Sequence, residues 1–127
     1  MPSLPREFRK IRLELAREPG HPEGSRHTGY DLVAPLDGKQ HLAADIWRSH
    51  KDECRVHRFR EGEDDAVGHL ARRPGGDWYF DYDENVGNDD EAGYRLGSER
   101  FVIGEYVSIA DEHDHMHTYR VVSVQPL

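Results

Sequence analysis

The chain has 127 residues, of which 35% are hydrophobic and 33% are charged, with a formal net charge of −8 at pH 7. This length fits one domain, so we predict a single domain over residues 1–127 with a thin hydrophobic core. The negative charge argues against a nucleic-acid-binding protein that relies on a broad basic surface, which makes nucleic acid an improbable partner.

The cysteine content and the hydropathy indicate the compartment. Cys54 is the single cysteine of the sequence, which excludes an internal disulfide and a thiolate-rich zinc site. Residues 1–10 contain no apolar core of signal-peptide length, and no run of about 18 apolar residues occurs. We therefore expect a soluble, cytoplasmic protein with no membrane association.

The first predicted element is a half-buried strand over residues 9–16. Ile11, Leu13 and Leu15 alternate there with polar residues, which is the period of two expected of a strand with one buried face. Residues 17–29, rich in proline, glycine and serine, are predicted to be a loop. That loop is long for a connection in a compact domain, which leaves open whether it is functional.

A short strand and the only predicted helix follow. The strand covers Tyr30–Ala34, and the helix covers about residues 42–52, where apolar residues recur at spacings of three and four. Ile46 and Trp47 lie on the apolar face of this helix. We expect them to press the helix onto a sheet, since burial of a tryptophan is a large contribution to a small core.

The middle of the chain predicts further strands and one clear hairpin. Residues 54–59 are predicted to be extended, and residues 69–83 to form two strands joined by a tight turn. Pro74 followed by Gly75 is the pair that a type II turn requires, because glycine adopts positive φ without strain. The inward face of the second hairpin strand is predicted to carry Trp78, Phe80 and Tyr82.

The region between this hairpin and the C-terminal part is acidic. Residues 83–92 are predicted to be a solvated loop, and a calcium-loop pattern over residues 81–92 fails at its glycine and at its twelfth position. A short strand is predicted over Tyr94–Leu96.

The best apolar pattern of the sequence predicts a C-terminal hairpin over residues 101–124. Its first strand has one predicted inward set, which consists of Phe101, Ile103, Val107 and Ile109. In the return strand the valines switch faces, which indicates either a bulge or an interior strand covered on both sides. Pro126 cannot donate to a ladder, so the sheet should end there.

Together these patterns predict a mainly β (α+β) fold, either a small antiparallel barrel or a highly twisted sheet covered by one helix. Period-two patterning predominates, against one helical face. The largest apolar residues at inward positions should be buried together, namely Trp47, Trp78, Phe80, Val107 and Ile109.

Several segments resemble a family of small bacterial proteins that has no assigned activity. They are FRKIRLELAREPGHPEGS, HLARRPGGDWYFDYD, DDEAGYRLG and FVIGEYVSI, which together span nearly the whole chain. The pattern F-x-x-G-E-Y-V-S-I followed by YRVVSV is also similar to the closing hairpin of PUA-like and SH3-like small barrels. The resemblance implies a small barrel and brings no mechanism with it.

One constellation could bind a metal. His113, His115 and His117 alternate, so on an extended segment all three side chains would lie on one side and could share a zinc ion. The alternative is a solvated hairpin tip, where histidine is readily accommodated.

Three functional hypotheses follow from these observations. The first is a non-catalytic β module that binds a protein or a small ligand, because no catalytic or cofactor motif is present and fold alone does not determine function. The second is a metal-binding protein or metal-dependent enzyme that uses His113, His115 and His117. The third is a nucleic-acid-binding small barrel that uses the basic N-terminal strand and residues 55–60. The oligomeric state is not indicated.

Overall fold

The protein is a curled antiparallel sheet with one short helix. The computed structural model describes residues 4–83, 91–93, 96, 99–111, 113 and 115–127. The strands are β1 (Phe8–Leu15), β2 (Ser25–Pro35), β3 (Arg55–Phe59), β4 (Ala66–Arg72), β5 (Trp78–Tyr82), β6 (Glu91–Gly93), β7 (Tyr106–Ala110) and β8 (Met116–Pro126). Helix α1 covers Ala44–Ser49, and a 3-10 turn follows at Lys51–Glu53.

The strands form one sheet in the order β6-β5-β4-β3-β2-β1-β8-β7, and each neighbouring pair is antiparallel. The two end strands of this order, β6 and β7, contact each other, so the sheet curls toward a barrel. The predicted mainly β fold with one helix is therefore confirmed. Among the described helices, none has the length and apolar character needed to cross a membrane.

The concave face of the sheet holds the core. Trp47, Trp78, Phe80, Val107 and Ile109 are each at most 7% exposed, as predicted. The rings of Trp47 and Trp78 meet edge to face with centroids 5.3 Å apart. The indole Nε1 of Trp47 donates a 2.9 Å hydrogen bond to the Leu70 carbonyl, which fixes α1 against β4.

Two predicted boundaries were wrong in the N-terminal half. The predicted loop over residues 17–29 is shorter than expected, because β2 begins at Ser25 and pairs Ser25 with Leu15. Hydrogen bonding to β1 outweighs the polar, glycine-containing composition of this stretch, since strand propensity depends strongly on context. The helix is also shorter than the predicted residues 42–52.

The hairpin over residues 69–83 is confirmed. The amide of Gly76 donates to the Arg73 carbonyl at 2.9 Å, and Gly75 has a φ of 102°, which is the geometry of the predicted type II turn. The side chains of Trp78, Phe80 and Tyr82 are buried, so the inward face of β5 was also assigned correctly.

The C-terminal hairpin is confirmed with one correction. Ile103 is 60% exposed, because a turn at Gly104 comes before β7 begins at Tyr106. In β8 the pairing with β1 shifts register between Arg12 and Leu13, which leaves Val122 as the extra residue of a bulge. The bulge explains why the valines of β8 switch faces.

Some predicted features lie outside the described residues. The acidic loop predicted over residues 83–92 is described only at Asp83 and at residues 91–93, which form β6. Most of the incomplete calcium pattern falls within the same gap. The strand predicted over Tyr94–Leu96 is described only at Leu96, which is buried.

Candidate functional site

A groove of about 1040 Å³ lies where the C-terminal end of β1 meets β2, β7 and β8. Its wall includes the segment that connects β1 to β2, together with Tyr106 of β7 and Arg120 of β8. The groove is thus built from four strands of the sheet and two loops, the second of which contributes Glu61 from the β3–β4 connection. A concave site of this size is the default candidate for ligand binding in a small domain.

Strand register places the polar side chains of the groove. Arg120 lies opposite Glu14 of β1 on one side and opposite Tyr106 of β7 on the other. Glu14 and Arg120 are therefore direct cross-strand neighbours, within reach of each other's side chains. The amide of Ala16 donates a 2.9 Å hydrogen bond to the Thr118 carbonyl, which holds the start of the connecting segment against β8.

The carboxylate of Glu14 is already engaged by another arginine. Arg12 Nε donates to Glu14 Oε2 at 2.9 Å, and Arg12 also pairs with Asp31 at 3.2 Å. The pKa of Arg12 is raised, and the hydrogen bond that Arg12 donates to Glu14 is the largest cause. Glu14 therefore already has a cationic partner in Arg12, which it shares with Asp31.

Three arginines of the groove have no acidic partner. Within the described part of the chain, no carboxylate lies within ion-pair distance of Arg17, Arg26 or Arg120, and all three side chains are exposed. Two glutamates without ion pairs to described bases, Glu23 and Glu61, also line the groove. The groove thus holds three arginines and three glutamates, and the one glutamate with a described ion pair, Glu14, pairs with Arg12 rather than with an arginine of the groove.

A second cavity of about 520 Å³ adjoins the groove and shares Leu15, His21 and Glu61 with it. At its wall, His117 Nδ1 lies 2.9 Å from Glu18 Oε2 and His117 Nε2 lies 3.0 Å from Asp111 Oδ2. We name Glu18, Asp111 and His117 the His117 clamp. An imidazole can donate to two carboxylates only when each nitrogen carries a proton, so the complete clamp requires His117 in its imidazolium form.

Within the clamp, His117 and Asp111 have pKa values that are shifted from their ordinary values. Burial lowers the pKa of His117, but its hydrogen bonds with Glu18 and Asp111 outweigh burial, and the net pKa is raised. Burial raises the pKa of Asp111, but hydrogen bonds from the His115 amide, the His117 ring and the His113 amide lower it to about 2. Both shifts favour the charged pair.

His21 lies on the other side of Glu18. Its Nδ1 is 3.7 Å from Glu18 Oε1, and this nitrogen is buried without a hydrogen-bond partner among the described residues. The backbone of Glu18 and His21 forms two mutual hydrogen bonds of 3.1 and 2.9 Å. These bonds fix a tight loop that carries both side chains to the boundary between groove and cavity.

The three histidines suggested as a zinc site differ in their surroundings. The ring centroids of His113 and His115 are 6.4 Å apart and both residues are exposed, whereas His117 contacts carboxylates through both nitrogens. Across the described residues, no group of three or more His, Cys, Asp or Glu side chains is arranged to hold a metal ion. A zinc site stays a prediction, and elemental analysis of untagged protein would measure it.

Of the basic residues suggested for nucleic-acid contact, the three arginines within residues 55–60 are engaged within the protein. Arg55 pairs with Asp83 at 3.2 Å, Arg58 lies over the Tyr82 ring at 4.8 Å, and Arg60 lies 3.9 Å from Glu63.

The single cysteine, Cys54, is fully buried. Its burial, with the charge of Glu53, raises its thiol pKa to about 12, which leaves almost no thiolate at neutral pH.

Sequence reasoning missed the groove and most of the His117 clamp. The loop over residues 17–29 was identified as a functional possibility, and its first part does form the groove wall. Glu18 and His117 are 99 positions apart in the chain, so no local spacing could have linked them. The chain matches no family model, no curated protein and no solved structure in the three comparisons that we made.

Proposed function

We propose that this protein is a non-catalytic β module that binds a small ligand in the groove between β1, β2, β7 and β8. The observation that carries the proposal is the groove itself, whose volume is about 1040 Å³. This volume is at the upper end of those found for small-molecule sites, which are about 300–1000 Å³. Polar side chains from separate strands of the sheet line this groove, among them Glu14 of β1, Arg26 of β2 and Arg120 of β8.

The arrangement supports binding better than catalysis. The imidazolium of His117 has both nitrogens occupied by Glu18 and Asp111, so neither is available as a general base. The buried Cys54 thiol is held in its protonated form. The polar side chains of the groove are mainly arginines and glutamates, with Tyr106, His21 and His27 among the others. Such groups recognise polar ligands through hydrogen bonds and ion pairs.

A protein partner is the second candidate, and one observation favours it. Tyr106 and Ile103 are 57% and 60% exposed and are separated by a two-residue turn beside the groove. Exposed aromatic residues are enriched in protein interfaces. A partner could therefore cover this edge of the sheet and reach into the groove.

The proposal is tested by ¹H–¹⁵N NMR with a panel of small-molecule probes. The panel contains amino acids, sugars, amines, inorganic phosphate, pyrophosphate and citrate at millimolar concentration. We expect at least one probe to cause saturable shifts at amides of the groove, such as Ser25 and Thr118, and to leave the turn at residues 73–76 unchanged. If no probe moves the groove amides, the small-ligand proposal is wrong.

A further inference from the structure

From the charges of the groove, we propose that its ligand is a small oxyanion with at least two negative charges, either an organic phosphate or a polycarboxylate. This inference rests on the proposed binding function and specifies the ligand class. Three guanidinium groups, those of Arg17, Arg26 and Arg120, line one groove without a described acidic partner. Guanidinium is the side-chain group best suited to bidentate contacts with phosphate and carboxylate.

The absence of partners for these arginines is notable because the protein has acids in excess. The sequence contains 25 Asp and Glu against 17 Lys and Arg, so carboxylates are abundant. Elsewhere in the described chain some arginines pair with acids, for example Arg55 with Asp83 and Arg100 with Glu105, each at 3.2 Å, whereas Arg73 contacts an aromatic ring instead. The groove differs from these sites because three arginines without a described acidic partner line one concavity.

One contact shows how that positive charge is maintained. Arg120 lies opposite Glu14 in the ladder and would be expected to pair with it. Arg12 occupies the Glu14 carboxylate instead and is itself fixed by Asp31 and by the Phe59 ring, whose centroid is 4.3 Å from the guanidinium carbon. The Arg12 network thus leaves the Arg120 guanidinium free to contact a ligand.

The rest of the groove limits where the anion can bind. Glu61 lines both the groove and the second cavity, so it lies toward the end of the groove that adjoins the His117 clamp. Glu23 is the other acid of the groove without an ion pair to a described base, and the third acid, Glu14, is held by Arg12. Tyr106, which is 57% exposed, offers a ring against which an organic part of the ligand can pack.

The test is a titration of pyrophosphate and of citrate at low ionic strength, followed by NMR at the groove amides. We expect saturable binding that weakens with added sodium chloride, because screening reduces charge–charge attraction. Arg120→Gln and Arg26→Gln should each weaken binding by about tenfold to a hundredfold, the effect expected for loss of a charge-assisted hydrogen bond. The three arginines are exposed, so the variants should keep the wild-type melting temperature.

Arg73→Gln is the matched control, because Arg73 is an exposed arginine on the distant β4–β5 turn that stacks on Tyr79 at 4.3 Å. It should bind pyrophosphate as the wild type does, and equal weakening in this control would overturn the inference. Tighter binding of pyrophosphate than of citrate would assign an organic phosphate, and the reverse order a polycarboxylate.

The remaining outcomes separate the two proposals. If only neutral or cationic probes bind in the groove, the binding function stands and the oxyanion inference is wrong. If no probe of either kind moves the groove amides, both are wrong. Binding of an oligothymidylate at low salt without binding of pyrophosphate or citrate would overturn the inference in favour of a nucleic-acid surface.

Discussion

At the scale of single residues, the structure is most informative at His117. Its two ring nitrogens connect Glu18 of the β1–β2 loop with Asp111 of the β7–β8 turn, so one side chain ties two loops to the sheet. The clamp adjoins the wall of the groove, because His21 and Glu18 belong to the same short loop. Its protonation state should therefore influence the stability of this end of the sheet.

We expect His117→Asn to lower the free energy of unfolding by about 1–2 kcal/mol between pH 4 and 6, because the variant loses the imidazolium and its charged hydrogen bonds. The folded pKa of His117 is raised above 6.5, so its contribution is complete below 6.5 and is lost as the pH rises through the raised value. The difference between variant and wild type in urea unfolding should shrink accordingly above pH 7.

The pKa of Asp111 determines the low pH at which the same interaction is lost. Its folded pKa is lowered from 3.8 to about 2, so its contribution is present above 3.8 and is lost as the pH falls toward 2. His115→Asn is the control, since it keeps the 2.9 Å hydrogen bond from the His115 amide to Asp111, and the exposed His115 ring approaches Asp111 only to 3.9 Å. A pH-independent effect of His117→Asn, or an equal effect of His115→Asn, would contradict this interpretation of the clamp.

The Trp47 indole gives a second prediction at this scale. Trp47→Phe should cost about 1–3 kcal/mol more than Trp78→Phe, because it leaves the buried Leu70 carbonyl without its donor. Both replacements exchange a buried indole of the same ring pair for a smaller phenyl ring. The two variants should therefore lose a comparable free energy of unfolding through reduced packing. The measurement is guanidinium unfolding of both variants, and equal costs would mean that the hydrogen bond contributes little.

At the scale of elements, the antiparallel pairing of β4 with β5 depends on one glycine, Gly68, which lies opposite Tyr82. A Cβ added at Gly68 would lie 2.2 Å from the Asp81 carbonyl oxygen and 2.6 Å from the Tyr82 Cα, which is closer than real contacts allow. The obstructing atoms are backbone, so neither can rotate away. Close approach of the two strands at this position requires a residue without a side chain.

We expect Gly68→Ala to destabilise the protein by about 1–3 kcal/mol or more, since relief of the clash requires movement of a strand. Gly38→Ala is the matched control, because a Cβ at Gly38 meets nothing within 4 Å and its φ is not in the left-handed region. That variant should change stability by no more than about 0.5 kcal/mol. Thermal unfolding of both variants is the measurement, and a neutral Gly68→Ala would show that the strands separate easily.

At the scale of the whole molecule, charge controls association. Addition of nine positive charges from the histidines to the net charge of −8 gives +1, and the sequence pI is about 5.5. Loss of net charge removes the repulsion that keeps molecules apart. We therefore predict a solubility minimum near pH 5.5, measured as soluble protein after concentration across a pH series. Clear concentrated solutions throughout pH 5–6 would contradict this.

The sequence by itself determined much of the secondary structure, because strand periodicity and turn chemistry are local properties. Ile11, Leu13 and Leu15 are buried as their alternation predicted, and Pro74-Gly75 forms the predicted turn. The switch of faces in β8 was visible in the sequence, but the choice between a bulge and a strand covered on both sides required the pairing with β1. The resemblance to a family of small bacterial proteins, by contrast, stays a prediction.

Only the tertiary structure decided the site. Hydrogen bonding to β1 extended β2 back to Ser25, and the pairing of β1 with β8 placed Arg120 opposite Glu14 and beside the loop that carries Glu18. Contacts between positions about a hundred residues apart depend on strand order, which no local pattern encodes. For the same reason His117 lies between two carboxylates rather than with His113 and His115, although the three alternate in the sequence.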